Sequence, residues 1–262
     1  MKKYFVVSDI HGEYDILRKE LQLNGYDENN KNHILISLGD AFDRGPKSKQ
    51  VYNYLKKLSD QKKAIVLMGN HTKFLIDYLG GISLNPFNYI YNGTDTTLNS
   101  FLNYKNTFTE WTAAQTEITV QDFARWVTFA KNKINDTYPE LLIWLKNRPY
   151  YFETKNYIFT HASIDTKVID WHYPHCYKGD LVDWDALTFD DGEFFGSHIT
   201  NTNKTVVIGH YGTDALRDKY HYSKPTGYNH CYDILKRPDG KVIAIDATTN
   251  YSHQLNVLVI ED

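Results

Sequence analysis

Three times in its N-terminal part, this chain runs through a short apolar stretch and halts at a knot of Asp, Asn, His and Gly. Each time it then takes up helical spacing. Residues 3–8 (KYFVVS) stop at Asp9-Ile-His11-Gly12, HILISLGD (33–40) runs into Asp43-Arg44-Gly45, and AIVLMGNH (64–71) closes on Asn70-His71. Short continuous apolar runs bounded by turn residues indicate buried strands. The segments that follow have another period: Ile16, Leu17, Leu21 and Leu23 in 13–23, then Val51, Tyr54, Leu55 and Leu58 after Pro46, then Phe74, Leu75 and Tyr78. Proline suits a first helical turn, where its missing N–H is no loss. Strand, loop and helix in repetition predict an α/β sheet with functional residues at the carboxyl ends of its strands.

The rhythm breaks near residue 80. Stretch 80–148 holds no comparable apolar strand, and Phe123, Trp126, Val127 and Ala130 mark a helix near 120–134. It reads as a mostly helical insertion or cap over the site. Beyond it the chain reads as antiparallel: a hairpin over 150–162 turning at Lys155-Asn156, a strand at 205–211, a hairpin over 232–249 with Pro-Asp-Gly at its turn, and a closing strand in QLNVLVIED. No linker or low-complexity tract divides the chain, so 1–262 reads as a single domain.

Bulk properties narrow the function classes. An aromatic content of 15% belongs to a folded chain and not to a disordered one. A formal charge of −3 argues against an obligate nucleic-acid partner, which would need a basic surface, while leaving room for a locally positive cleft. Cys176 and Cys231 are far apart and form neither a disulfide framework nor a zinc knuckle, which fits a reducing cytoplasm. The apolar run after Lys3 ends at Ser8-Asp9, too short for a signal-sequence core or a membrane span. The expectation is a soluble cytoplasmic protein with no membrane partner.

The polar clusters carry the chemistry. Asp9-Ile-His11-Gly12, Gly39-Asp40-Ala-Phe-Asp43-Arg44-Gly45, Gly69-Asn70-His71, Thr160-His161-Ala162 and Gly209-His210 each end an apolar strand. Any one of them is an ordinary loop. Strand packing needs none of these side chains, whereas two hard or borderline cations would use them together. In order and content they resemble the calcineurin-like metallophosphoesterases, specifically the Ser/Thr protein phosphatase branch with its bacteriophage and bacterial relatives. That pattern of DxH, GDxxDRG, GNH and two later histidines stands here as SDIHG, GDAFDRG, GNHT, THA and GHY. The resemblance runs from residue 5 to about 249, outside most of the insertion, and GDxxDRG is its most specific part.

The resemblance implies a four-layer α-β-β-α sandwich and a metal-dependent phosphoesterase with two divalent ions. It implies that Asp9 and His11 bind the first ion, that Asn70, His161 and His210 bind the second, and that Asp40 bridges both through its two oxygens. Mixed nitrogen and oxygen donors suit Mn, with Fe or Zn as alternatives, better than Ca or Mg. Such a pair activates a bridging hydroxide and neutralises phosphoryl oxygens during in-line attack. By the same resemblance His71 is the general acid, Asp43 orients and charges its ring, and Arg44 grips phosphate oxygens with its planar fork.

Departures from the pattern bear on the substrate. Thr72 stands where the family has an acidic residue, and Ala162-Ser163 replaces its Gly-Gly. Between His161 and His210 there is no Arg. The phosphatase branch has a second phosphate clamp there, and Ala186 stands at its place. Lys167, Lys178 or Lys204 would offer only a point charge. Losing one guanidinium weakens the hold on a dianionic monoester more than on a monoanionic diester. The first reading is a Ser/Thr-phosphatase-like phosphomonoesterase acting on phosphorylated protein or small phosphate esters. The alternative is a nucleotide phosphodiesterase or diadenosine-polyphosphate hydrolase, with Trp111, Trp126 and Trp144 available to stack on a base. A catalytically silent, metal-stabilised scaffold is a third reading, opposed by the full ligand set and His71. The Trp171–Cys176 segment reads as a packed loop and not a zinc site, Asp246 as a structural acid, and Tyr251 as a neighbour of the cleft.

Overall fold

The computed structural model describes residues 1–81, 89–103, 119–166, 171–172 and 185–262. The repeated units form β1 (Lys3–Val7), α1 (Tyr14–Leu23), β2 (His33–Ser37), α2 (Ser48–Asp60), β3 (Ala64–Val66) and α3 (Asn70–Gly80). Strands β1, β2 and β3 run parallel with Val7 beside Ser37 and Ser37 beside Val66, so their carboxyl ends lie side by side. The closing strand β9 (Leu258–Glu261) joins this sheet antiparallel to β1, giving the order β3-β2-β1-β9.

The stretch after α3 is helical where it is described: α4 (Thr94–Leu102), α5 (Val120–Thr137) and α6 (Pro139–Lys146). Helix α5 begins at a capping box. The Thr119 hydroxyl accepts the Asp122 N–H at 3.2 Å, and the Asp122 carboxylate accepts the Thr119 N–H at 2.9 Å. Trp126, Ala130 and Ile134 are buried at helical spacing, in the same core as α2 and α3. Trp126 and Trp144 are therefore core residues, unavailable to stack on a substrate; Trp111 lies outside the described residues.

The second sheet contains β4 (Tyr151–Glu153), β5 (Tyr157–Thr160), β6 (Thr205–Ile208), β7 (Leu235–Lys236) and β8 (Val242–Ala244), in the order β4-β5-β6-β8-β7. The expected antiparallel second half is corrected here. Both hairpins exist, β4–β5 and β7–β8, but β5, β6 and β8 are mutually parallel. Local turns such as Pro238-Asp239-Gly240 report a hairpin, whereas the pairing of two hairpins through β6 is a long-range choice that no turn encodes. Short helices α7 (Asp185–Thr188), α8 (Glu193–Gly196), α9 (Thr213–Lys219) and α10 (Thr249–Ser252) complete the chain.

Three apolar cores separate four layers. Tyr4, Val6, Ile34 and Ile36 from the first sheet meet Phe159, Val207 and Ile243 from the second. The alternate residues Phe5, Val7 and Leu35 face α1, α2, α3 and the later helices, while Ile158, Val206 and Ala244 face α8, α9 and Trp171. Strands buried on both faces must be apolar throughout, which is why KYFVV and HILIS read as continuous runs and not as alternating ones. The result is the α-β-β-α sandwich. Among the described residues, no helix is long and apolar enough to cross a membrane.

Candidate metal centre

Every parallel strand is followed within a few residues by a polar one, and the two sheets bring these loops together. The first sheet presents Asp9, Asp40 and Asn70; the second presents His161, His210 and Asp246. Direct contacts join the two sets. The His210 backbone N–H donates to Asp9 Oδ2 at 2.9 Å, His161 Nε2 lies 3.3 Å from Asp40 Oδ2, and it lies 3.0 Å from Asn70 Oδ1.

The backbone is bent to make this possible. Asp9, His11, Asp40, Asp43, Arg44 and His210 all have φ between 45° and 69°. The left-handed region costs a non-glycine residue about 1 kcal/mol or more, least for Asp and His, and such strain collects where a site over-determines it. Cross-braces hold the loops: the His11 N–H donates to the Asp40 carbonyl at 3.0 Å, Gly45 to His11 at 2.9 Å, and Gly209 to His161 at 2.8 Å. Two motif glycines are steric requirements. A Cβ at Gly69 would collide with the Asp40 carboxylate, and one at Gly209 with Ser8 and Asp9.

Donor chemistry fits cations. His11 Nδ1 donates to the Phe42 carbonyl at 2.8 Å, which leaves the Nε2 lone pair facing the centre, where Arg44 meets it. Burial, reinforced by the positive charges of Arg44 and His71, holds the His11 pKa well below its usual value, so the ring is a neutral donor. Burial would also lower His161, but Asp40 and Asp9 raise it to about 9. Burial and the charged His161 depress His210 to about 3. Burial opposes ionisation of Asp40, yet the surrounding histidines hold its carboxyl well below the carboxylate range, while burial and the Asp40 charge raise Asp9. Donor atoms of His11, Asp40 and His71 lie within 4.8 Å of one another, as do those of Asp40, His161 and His210. Asp40 is common to both groups, which suits a shared carboxylate between two divalent cations.

His71 is held differently from the others. Its Nδ1 is 2.8 Å from Asp43 Oδ2, its Nε2 is 3.2 Å from an Arg44 nitrogen, and Arg44 also reaches His11 Nε2 at 3.0 Å. Asp9 Oδ1 lies 3.8 Å from His11 Nε2 and can complete the first donor group. Burial would lower His71, but Asp40 and Asp43 prevail and raise its pKa.

Several supporting residues were invisible to motif reading. Thr97 Oγ1 donates to Asp43 Oδ1 at 2.7 Å, and the same oxygen accepts the Asp43 N–H at 2.8 Å. Thr94 reaches Asp43 Oδ2 at 3.5 Å, and the Gly93 carbonyl accepts the Arg44 N–H at 3.2 Å. The N-terminus of α4 thus braces the Asp43–Arg44 loop. No local signal marks it, because the contact spans 54 positions. Ser8 donates to Asp9 Oδ2. Asp246 is buried, and burial together with the Asp9 charge pushes its carboxyl well above the usual range; Thr248 N–H donates to it at 2.6 Å. Trp171 is buried and stacks on His172, whose Nε2 pairs with Glu153. Tyr173–Cys176, Lys167, Lys178 and the side chain of Ala186 lie outside the described residues. Lys204 pairs with Glu153, and Tyr251 is exposed.

A sandwich of two sheets whose strand ends pool carboxylates and imidazoles is the frame of a dinuclear hydrolase. Residues 2–245 match the calcineurin-like phosphoesterase family, and the chain belongs to that family of metal-dependent phosphoesterases. Among curated proteins, the asymmetrical bis(5'-nucleosyl)-tetraphosphatase PrpE of Bacillus velezensis is 34% identical over 100 residues, 36% of this chain and 39% of the relative. The symmetrical bis(5'-nucleosyl)-tetraphosphatase of Psychromonas ingrahamii is 36% identical over 78 residues, 30% of this chain and 27% of the relative. The Shewanella-like protein phosphatase 1 of Plasmodium berghei is 29% identical over 113 residues, 38% of this chain and 31% of the relative. The matched stretches thus span less than half of those relatives. In shape, the cold-active protein-tyrosine phosphatase of a psychrophilic Shewanella species superimposes with a TM-score of 0.59 at 18% identity, covering 100% of this chain and 76% of that one.

Proposed function

We propose that this chain hydrolyses small nucleotide substrates, dinucleoside polyphosphates foremost, at a dinuclear metal centre. The observation that carries the reading is the lone guanidinium: Arg44 faces His11 and His71, and no Arg stands between His161 and His210. A single fork suits a phosphate that bears one negative charge, as an internal polyphosphate unit does, better than a dianionic monoester. The tetraphosphatase relatives support the same choice. It replaces the phosphoprotein reading as the leading one.

In this reading Asp9, His11 and Asp40 hold one ion, and Asp40, Asn70, His161 and His210 hold the other. Manganese fits the donor set, with iron or zinc as alternatives. The bound ions would supply an activated water and neutralise phosphoryl charge. The chain's own residues do the rest. Asp40 and Asp43 favour the protonated form of His71, Asp43 fixes its ring, and His71 Nε2 would give its proton to the departing phosphate oxygen once that oxygen takes the place of its Arg44 contact. Arg44 orients the reacting phosphate through non-bridging oxygens. We read 1–262 as one catalytic domain with 80–148 inserted; the packing of α4–α6 into the core of α2 and α3 supports this.

The test is competitive turnover with manganese-loaded protein, diadenosine tetraphosphate against a phosphoserine peptide. The nucleotide is expected to have the higher kcat/KM, with the nucleotide products showing symmetrical or asymmetrical cleavage. Preference for the peptide would return the chain to the phosphoprotein phosphatases. Turnover of neither, with His71→Asn indistinguishable, would leave only a scaffold.

A further inference from the structure

Phe189 lies between α7 and α8 and is 57% exposed. One side of its ring rests on His210, with centroids 5.1 Å apart and planes at 60°. Single exposed aromatics are ordinary on a protein surface. This one is different in being pinned from both sides. Before it, Leu187 is buried and its carbonyl accepts the Ala162 N–H at 3.0 Å and the Thr160 hydroxyl at 3.2 Å, the two residues flanking His161. After it, Asp190 Oδ1 accepts the N–H groups of Gly192 and Phe194 at 2.8 and 3.2 Å, and Phe194 and Phe195 are buried in the outer core. The segment is anchored by its neighbours while the phenyl ring itself is left in water at the edge of the centre.

We infer that Phe189 is a stacking platform for a nucleobase of the substrate. The inference rests on the nucleotide reading above and adds where the base goes. Two histidine pairs define the centre, His11 with His71 at 4.8 Å and His161 with His210 at 5.0 Å. Arg44 serves the first pair and Phe189 adjoins the second. A nucleotide whose phosphate lies between the two pairs and is gripped by Arg44 would carry its base out past His210, onto the aromatic face. Stacking needs no hydrogen-bond code and tolerates any base. A ring held in place beforehand loses little freedom on binding, so it returns affinity that a single arginine leaves short.

The experiment uses the full chain loaded with manganese and the variants Phe189→Ala and Phe189→Trp. It measures KM for diadenosine tetraphosphate and for inorganic tripolyphosphate, which has no base, and the Kd of ADP by calorimetry. In Phe189→Ala, KM for the dinucleotide is expected to rise about tenfold more than KM for tripolyphosphate, with a similar weakening of ADP and recovery in Phe189→Trp. Equal ADP affinity in wild type and Phe189→Ala overturns the inference. So does an equal rise of KM for the dinucleotide and for tripolyphosphate, which would make the ring a part of the phosphate site. If wild type fails to cleave the dinucleotide while ADP still binds through Phe189, the proposed function falls and the platform stands.

Discussion

The two sheets contribute different things to one centre. Loops of the first sheet carry Asp9, Asp40, Asn70, the Asp43–His71 pair and Arg44, whereas the second supplies His161, His210 and the buried Asp246. The bracing differs too. Thr94, Thr97 and Gly93 of the inserted stretch grip the Asp43–Arg44 loop through two side chains and a carbonyl, while the His161 loop hangs on the Leu187 carbonyl and the His210 N–H on Asp9. The lesson is a division of labour. Under the proposed function, proton transfer and phosphate orientation would sit on the braced loops of the first sheet, and the second sheet would complete the ion site beside Phe189.

The sharpest way to break this comparison is to remove Asp40, the carboxylate common to both donor groups. Asp40→Ala is expected to reduce metal content by at least half and turnover by about 10³-fold or more, the several kcal/mol that such a centre contributes. Elemental analysis beside kinetics reads both, and retention of both ions would show that Asp40 is not shared. Next comes the acid pair. His71→Asn should lower kcat by about 10²–10⁴-fold with metal content unchanged, and loss of metal instead would make His71 a ligand. Because Asp43 helps to raise the His71 pKa, activity should fall as pH rises through that raised value. In Asp43→Asn the alkaline fall should move to lower pH.

The brace should matter less. Thr97→Val removes a donor to buried Asp43 and is expected to cost about 10–100-fold in kcat and about 1–3 kcal/mol of stability, with Thr97→Ser restoring most of both. Unchanged kcat in Thr97→Val would mean that the first sheet's loops hold themselves. The smallest effect is on the second sheet. With its pKa raised from 6.5 to about 9, His161 stabilises the metal-free protein fully below about pH 6.5, and that stability is lost as pH rises through about 9. A cation must displace this proton, so metal affinity should rise with pH up to about 9. Calorimetry in buffers of different ionisation enthalpy counts the proton released, and uptake without proton release would remove His161 from the ligand set.

How much of this was legible beforehand differs by element. The strands of the first sheet could be read because their burial on both faces forces continuous apolar runs, and the loops because Asp, Asn, His and Gly interrupt those runs abruptly. The parallel pairing of β5, β6 and β8 could not be read, since strand direction is set by partners distant in the chain. Trp126 shows the same limit. An aromatic on an amphipathic helix has the same appearance whether its face meets a ligand or a core, and here it meets the core.

By itself, the order of residues determined the strand–loop–helix units and the kinds of donor at their ends, because these follow from local periodicity and from which side chains tolerate a left-handed bend. Only the tertiary structure decided that Thr97 secures Asp43 and that Phe189 stands exposed beside His210. Those are contacts across tens of residues, and they exist only once burying both faces of two sheets has brought their strand ends together.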